Sequence, residues 1–219
     1  MSPADPKSRR YIQRMTRLRA PRLVPEITLH LADAPAPLWT LDSDSLAAHP
    51  CSDPFWAFAW AGGLGAARWL LDQPDAVRGH RVLDLATGSG LCAIAAAKAG
   101  AGPVDASDID AWAVVATRLN AALNGVALRV SPQNLLDTTP RWDTIVCGDL
   151  FYEAALATRV SAWFDQCAAA GTQIIVGDPG RTYLPVGLTS LAEYSLQTEG
   201  YYEDTEFAST RVWLWPPRD

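Results

Sequence analysis

The chain predicts a doubly wound α/β fold around a mainly parallel, seven-stranded sheet, with an N-terminal helix and β-hairpin extension. Three observations carry this. From residue 80 onward, short apolar runs alternate with helical periodicities, the order expected of a parallel sheet wrapped on both faces. A glycine-bearing turn joins the first of those strands to its helix, the usual place for a bound nucleoside. Apolar residues make up 49% of the 219, enough to bury a sizeable core. Residues 1–54 are read as the extension, packed on a core domain of 55–219.

The elements follow in order. Tyr11, Ile12, Met15 and Leu18 recur at helical spacing, so 8–19 reads as a helix stopped by Ala20-Pro21. "ITLHL" (27–31) and "LWTL" (38–41) flank a Pro-rich stretch and read as a short hairpin or two edge strands. In "FWAFAWAGGLGAARWLLDQP" (55–74), aromatics and leucines fall at helical spacing, with Gly62-Gly63 starting or bending the helix and Pro74 ending it. Strands are expected at 80–86, 102–108, 126–130, 143–148 and 172–178. Helices are expected at 90–100, 111–123 and 154–171. The tail reads as a helix near 186–195, a strand near 196–202 and an antiparallel strand near 207–215.

Charge and cysteine usage narrow the class. Net charge is −6, but residues 1–22 hold seven basic side chains against Asp5, leaving −12 on the remainder. A basic arm of this kind can dock an acidic partner or nucleic acid, and an Arg-rich start also resembles a transit peptide. The periodicity favours a helix packed on the domain. Cys51, Cys92, Cys147 and Cys167 lack paired spacing and read as reduced thiols. His30, His49 and His80 are scattered and point to no metal site. No run of 18 apolar residues and no signal peptide is evident, so no membrane partner is expected. With the basic arm read as a solvated amphipathic helix, no nucleic-acid partner is expected either. Arginine outnumbers lysine 16 to 2. That composition favours a GC-rich bacterial source and a cytoplasmic enzyme, with a monomer preferred.

"VLDLATGSGLCA" (82–93) is a strand, a glycine turn and a helix start. Glycine lets backbone approach a ligand, and a helix N-terminus favours negative groups. Gly88 and Gly90 satisfy the G-x-G-x-x-A pattern of dinucleotide sites, which is weak evidence alone. Asp84, four residues before Gly88, discriminates. A carboxylate at the strand end repels a pyrophosphate but suits the cationic amino group and sulfonium of S-adenosylmethionine. Asp108, twenty residues past Gly88, suits ribose hydroxyls. The plainer alternatives are turn-amide bonding for Asp84 and an N-cap before Ile109 for Asp108.

"DLATGSG" resembles motif I of the seven-strand class I methyltransferases, with Ala86 where the first glycine usually stands. Together with 54–71, 93–101, 106–126, "GDLFYE" (148–153) and "GDPGRTYLP" (177–185), it resembles the electron transfer flavoprotein beta subunit lysine methyltransferases over about residues 10–215. The resemblance implies S-adenosylmethionine contacts from Asp84, Ala86, Gly88, Gly90, Asp108, Ile109 and Trp60. Adenine is placed near Asn134 and Leu135. It implies protein-lysine methylation, with the beta subunit as substrate. Another protein such as a ribosomal one is the nearest alternative, and a nicotinamide oxidoreductase is the alternative from a different class.

Methyltransferases acting on amides or nucleobases resemble one another in an N/D-P-P-Y/F motif at the "GDLFYE" position. Leu150-Phe151 here replaces Pro-Pro while the acid and aromatic remain. The resemblance therefore places the target lysine at Asp149 and Tyr152, with Asp149 accepting from the amine and Tyr152 walling its stem. Phe151 and Arg181 are expected to line the substrate. Otherwise Asp149 caps the helix after its strand, and Arg181 pairs with Asp178 across a Pro-Gly turn.

Overall fold

In the computed structural model, which describes residues 6–33, 54–196 and 209–216, the chain opens with α1 (Pro6–Met15), β1 (Arg17–Arg19) and β2 (Leu29–Leu31). It continues with α2 (Ala61–Asp72), β3 (Val82–Leu85), α3 (Leu91–Lys98), β4 (Val104–Ser107), α4 (Ala111–Leu123) and β5 (Arg129–Ser131). Then come β6 (Thr144–Gly148), α5 (Ala154–Ala169), β7 (Gln173–Asp178), β8 (Thr189–Ser195) and β9 (Ser209–Trp215). The sheet order is β5-β4-β3-β6-β7-β9-β8. The first five of these strands run parallel, and β9 is antiparallel to both β7 and β8. The expected doubly wound sheet is present. Chain order reverses between β3 and β6, and ligands in such sheets bind at the carboxyl ends beside that switch.

Period-two alternation sorts the strand side chains to two cores. Val82, Val146, Ile175 and Val212 pack with α2, α3 and the N-terminal Ile27, Leu29 and Leu31. Leu83, Leu85, Ile145, Ile174 and Val176 face Trp163 and Phe164 of α5 and Trp215 of β9. A third cluster joins Ile12 of α1 and Trp56 to Trp112 and Val115 of α4. Cys92, Cys147 and Cys167 are buried free thiols, as expected; Cys51 and His49 lie outside the described residues. Among the described residues no helix is long and apolar enough to cross a membrane.

Three expectations need correction. The first helix stops at Met15, where the Thr16 hydroxyl donates to Ile12 O at 2.6 Å and meets His30 Nδ1 at 3.1 Å. Residues 17–19 unwind into β1 and take β2 as their antiparallel partner, so Leu18 is 56% exposed instead of packed. The proposed partner at 38–41 lies outside the described residues. The predicted helix at 186–195 is strand β8. Its alternation slips once, at a register shift between Ser190 and Ala192, which leaves partly buried Leu191 and Tyr194 three apart and mimics helical spacing. The Glu193–Arg211 pair at 3.0 Å spans partnered positions of β8 and β9. Nearly all of the predicted strand at 196–202 lies outside the described residues.

Candidate active site

Asp84, the next-to-last residue of β3, is almost fully buried. Its Oδ2 accepts from the Thr87 hydroxyl at 2.5 Å and from Ala93 N–H at 2.9 Å in the first turn of α3. Burial pushes its pKa up to about 7; these two donors oppose the rise, and the Asp108 charge adds to it. Turn bonding therefore holds, and it leaves a carboxylate that a cation would favour. Ala86 adopts φ +55° in the left-handed region, the conformation the missing glycine would take without a Cβ penalty. Gly88, at φ +52°, has nothing within 4 Å of where a side chain would start. Gly90 has no such room: a Cβ would lie 2.9 Å from Thr117 Cγ2. One glycine thus keeps space for a ligand and the other lets α4 approach the loop.

Asp108 follows β4 and accepts from Gly88 N–H and Asp110 N–H, both at 2.9 Å. Burial pushes its pKa up. It ties the glycine loop rather than capping α4; that role falls to Asp110, which accepts from Trp112 N–H at 2.8 Å. Ile109 is 77% exposed beside it, an apolar surface free to cover a nucleoside. Asn134 is exposed and turns its Oδ1 onto Leu136 N–H, while Leu135 is buried beneath. The Ser107 hydroxyl donates to Gln133 O at 2.6 Å and holds this segment against the end of β4.

The end of β6 departs most from expectation. Asp149 does not cap α5, whose N-cap is Glu153. Its carboxylate instead caps α2, accepting from Gly62 N–H at 3.0 Å and Gly63 N–H at 2.8 Å. Arg181 donates to the same Asp149 Oδ1 at 3.1 Å, forming a part-buried ion pair. Asp178 accepts from Gly180 N–H and Arg181 N–H at 2.8 and 2.7 Å, so it shapes the turn while Arg181 reaches Asp149. The Asp178–Arg181 side-chain pairing is thereby replaced. Gly62 and Gly63 approach the sheet: a Cβ on Gly62 would sit 2.2 Å from Gly177 O, and one on Gly148 would sit 2.5 Å from Gly63 N.

Tyr152 is 52% exposed and its ring lies 6.1 Å from that of Phe55, which lies 5.6 Å from Trp60. Trp60 precedes the Gly62 and Gly63 amides that Asp149 accepts from, and Tyr152 follows Asp149 by three residues. The Trp60 indole N–H is held locally by Phe55 O at 2.9 Å. Phe151 is fully buried and stacks on Trp215 at 6.1 Å, so it belongs to the core and not to the substrate surface where it was expected. Sequence reasoning missed Phe55 and the Gly62-Gly63 amides as parts of the site. The signal was the aromatic run ending in Gly-Gly just before a helix.

Asp84, Asp108, Asp149 and Asp178 thus mark the carboxyl ends of four adjacent parallel strands. The donor set fits S-adenosylmethionine: a raised, buried carboxylate for its cationic end, open space at Gly88, and an exposed Ile109 beside a loop-bound Asp108. Fold and site define a class I methyltransferase. Residues 68–168 match the family described as ribosomal protein L11 methyltransferase (PrmA). The electron transfer flavoprotein beta subunit lysine methyltransferase of Rattus norvegicus is 37% identical over 222 aligned positions, covering 97% of this chain and 86% of the relative. The Homo sapiens protein of that name is 36% identical over 226 positions, covering 97% and 84%. The crystal structure of TrmN from Thermus thermophilus matches with a TM-score of 0.51 at 23% identity, over 69% of this chain and 48% of its own, a likeness of fold. The chain belongs to the electron transfer flavoprotein beta subunit lysine methyltransferase family. Both relatives are animal proteins, so they give no support to the bacterial source read from composition.

Proposed function

We propose that the protein methylates lysine side chains of the electron transfer flavoprotein beta subunit, with Asp149 and Tyr152 meeting the target amine. The carrying observation is the Asp149 carboxylate, fixed by two amides and a guanidinium at the end of β6, beside the glycine loop. The family names of the relatives supply the substrate class. S-adenosylmethionine supplies an electrophilic methyl: the lysine Nζ lone pair forms the N–C bond as the C–S bond breaks, leaving a neutral thioether and a proton for water. Asp84 and Asp108 serve to bind and orient that cofactor, with Ile109, Asn134, Leu135 and Trp60 around its nucleoside. Asp149 accepts from the amine and aims its lone pair, and Tyr152 with Phe55 walls the alkyl stem. At neutral pH a free lysine is about 3.4 units below its pKa, roughly 4–5 kcal/mol from the neutral amine. Aromatic walls that exclude water lower that barrier by disfavouring the ammonium. We read the enzyme as cytoplasmic and monomeric.

The test is labelled methyl transfer to the purified beta subunit by wild type and Asp149→Asn, alongside cofactor binding. Asp149→Asn is expected to bind cofactor normally and to methylate at least about a hundredfold more slowly. Full activity in that folded variant would remove Asp149 from the reaction. The match to the L11 methyltransferase family favours one competitor, so ribosomal protein L11 belongs in the same assay and is expected to remain unlabelled.

A further inference from the structure

A carboxylate beside the target amine creates a difficulty. An opposite charge within ~4–6 Å favours the ammonium and raises its pKa by about 1–3 units. That is the wrong direction for a nucleophile that must shed a proton. Asp149 is not a lone charge, however. Gly62 and Gly63 present the positive end of the α2 dipole to it at 3.0 and 2.8 Å. Arg181 places a guanidinium 3.1 Å from Oδ1, with side-chain exposures of only 16% and 11% for the pair, so solvent screens the interaction little.

We propose that Arg181 is a positioning residue for methyl transfer: it offsets the charge of Asp149, so the carboxylate orients the target amine by hydrogen bonding without trapping it as an ammonium. This rests on the reading of Asp149 as the group that meets the lysine. The turn after β7 is built for the task. Asp178 accepts from the Gly180 and Arg181 amides and thereby aims the Arg181 side chain across to the end of β6. Among the described residues, Cys92 of α3 and Cys147 of β6 feel the charge of Asp149, and Asp84 of β3 and Asp178 of β7 act on Cys147 alongside it. The two thiols are neutral because burial raises them well above their ordinary value. The two aspartates add negative potential when ionised, and burial holds Asp84 back from ionising until about pH 7. Among these named neighbours Arg181 alone is cationic, so its removal tilts the site toward a protonated lysine.

The readout is the pH dependence of kcat at saturating beta subunit and S-adenosylmethionine, which reports ionisation in the enzyme–substrate complex. Wild-type kcat is expected to rise with pH as the bound lysine deprotonates. Arg181→Met is expected to move that rise upward by about one pH unit, cut kcat about tenfold below it, and lower KM for the protein substrate. Arg181→Lys restores a cation and is expected to return the rise close to the wild-type position. Arg181→Gln, which keeps a hydrogen-bond donor without charge, is expected to behave as Arg181→Met, and it carries the test if the methionine variant does not fold. An unmoved rise in both neutral variants, with melting temperature and cofactor affinity retained, would overturn the proposal. Asp149→Asn separates the two layers. A slow Asp149→Asn beside an unmoved Arg181→Met sinks only the role of Arg181. A fully active Asp149→Asn sinks the reading beneath it, and this proposal with it.

Discussion

Asp84 is held against its own ionisation. Its native pKa, about 7, lies above the ordinary 3.8. The group therefore contributes stability that is fully present below about pH 3.8 and is lost as pH rises through about 7. A cation bound beside the ionised form recovers that loss. S-adenosylmethionine binding at about pH 6 is thus expected to release a large fraction of a proton. Calorimetry in buffers of different ionisation heat measures it, and Asp84→Asn is expected to abolish the release and weaken binding. Asp84, Gly88, Gly90 and Asp108 were legible in the sequence because a strand, its turn and the next strand set their spacing locally. Ala86 was legible as a departure, though not its consequence. At φ +55° it bears a Cβ where none is favoured. Ala86→Gly is expected to be neutral or to stabilise by up to about 1 kcal/mol in urea denaturation, since strain relief outweighs the added chain entropy.

At the scale of elements, the first turn of α2 decides the site. Its two glycines bring helix backbone against the ends of β6 and β7, and the amides so placed are the ones Asp149 accepts. Gly62-Gly63 was readable as a helix start. Its partner, 87 residues away, was not, because helix-to-sheet approach leaves no local pattern. The same reason hid the reach of Arg181, which pairs across 32 residues. Gly62→Ala puts a carbon 2.2 Å from Gly177 O, a backbone atom that cannot step aside. Thermal melting is expected to show a loss of about 3 kcal/mol or more. Labelled methyl transfer is expected to fall by more than stability explains, since the α2 amides leave the Asp149 carboxylate. The β8 error has a related origin: a single bulge shifted the alternation by one residue, and only pairing with β9 reveals it.

Across the whole molecule, the N-terminal extension is wired to the cofactor loop. The fold class and most of the sheet were plain from alternation, and so was a helix over the basic arm. Where that arm docks was not. Two asparagines hold it, Asn120 on α4 and Asn124 at its C-cap. Asn124 exchanges hydrogen bonds with Thr28, accepting its N–H at 3.0 Å and donating to its carbonyl at 2.6 Å. Asn120, fully buried, accepts from His30 N–H and donates to Ser89 O in the glycine turn, both at 2.8 Å. A leucine at either position fills similar volume but leaves part-buried backbone groups at Thr28 or His30, and at Asn120 the buried Ser89 carbonyl, unpaired, at about 1–3 kcal/mol each when fully desolvated. Both Asn120→Leu and Asn124→Leu are therefore expected to lower stability by roughly 2–5 kcal/mol in chemical denaturation. They are expected to part company in cofactor binding. Asn120→Leu frees the Ser89 carbonyl and loosens the turn that bears Gly88, so S-adenosylmethionine affinity measured by calorimetry should fall several-fold. Asn124→Leu loses the bonds to Thr28 and one to the Asn120 carbonyl, with none to the glycine turn, and should bind as tightly as wild type. Equal affinity in the two variants would show that the arm is fastened to α4 without any reach into the loop beyond it.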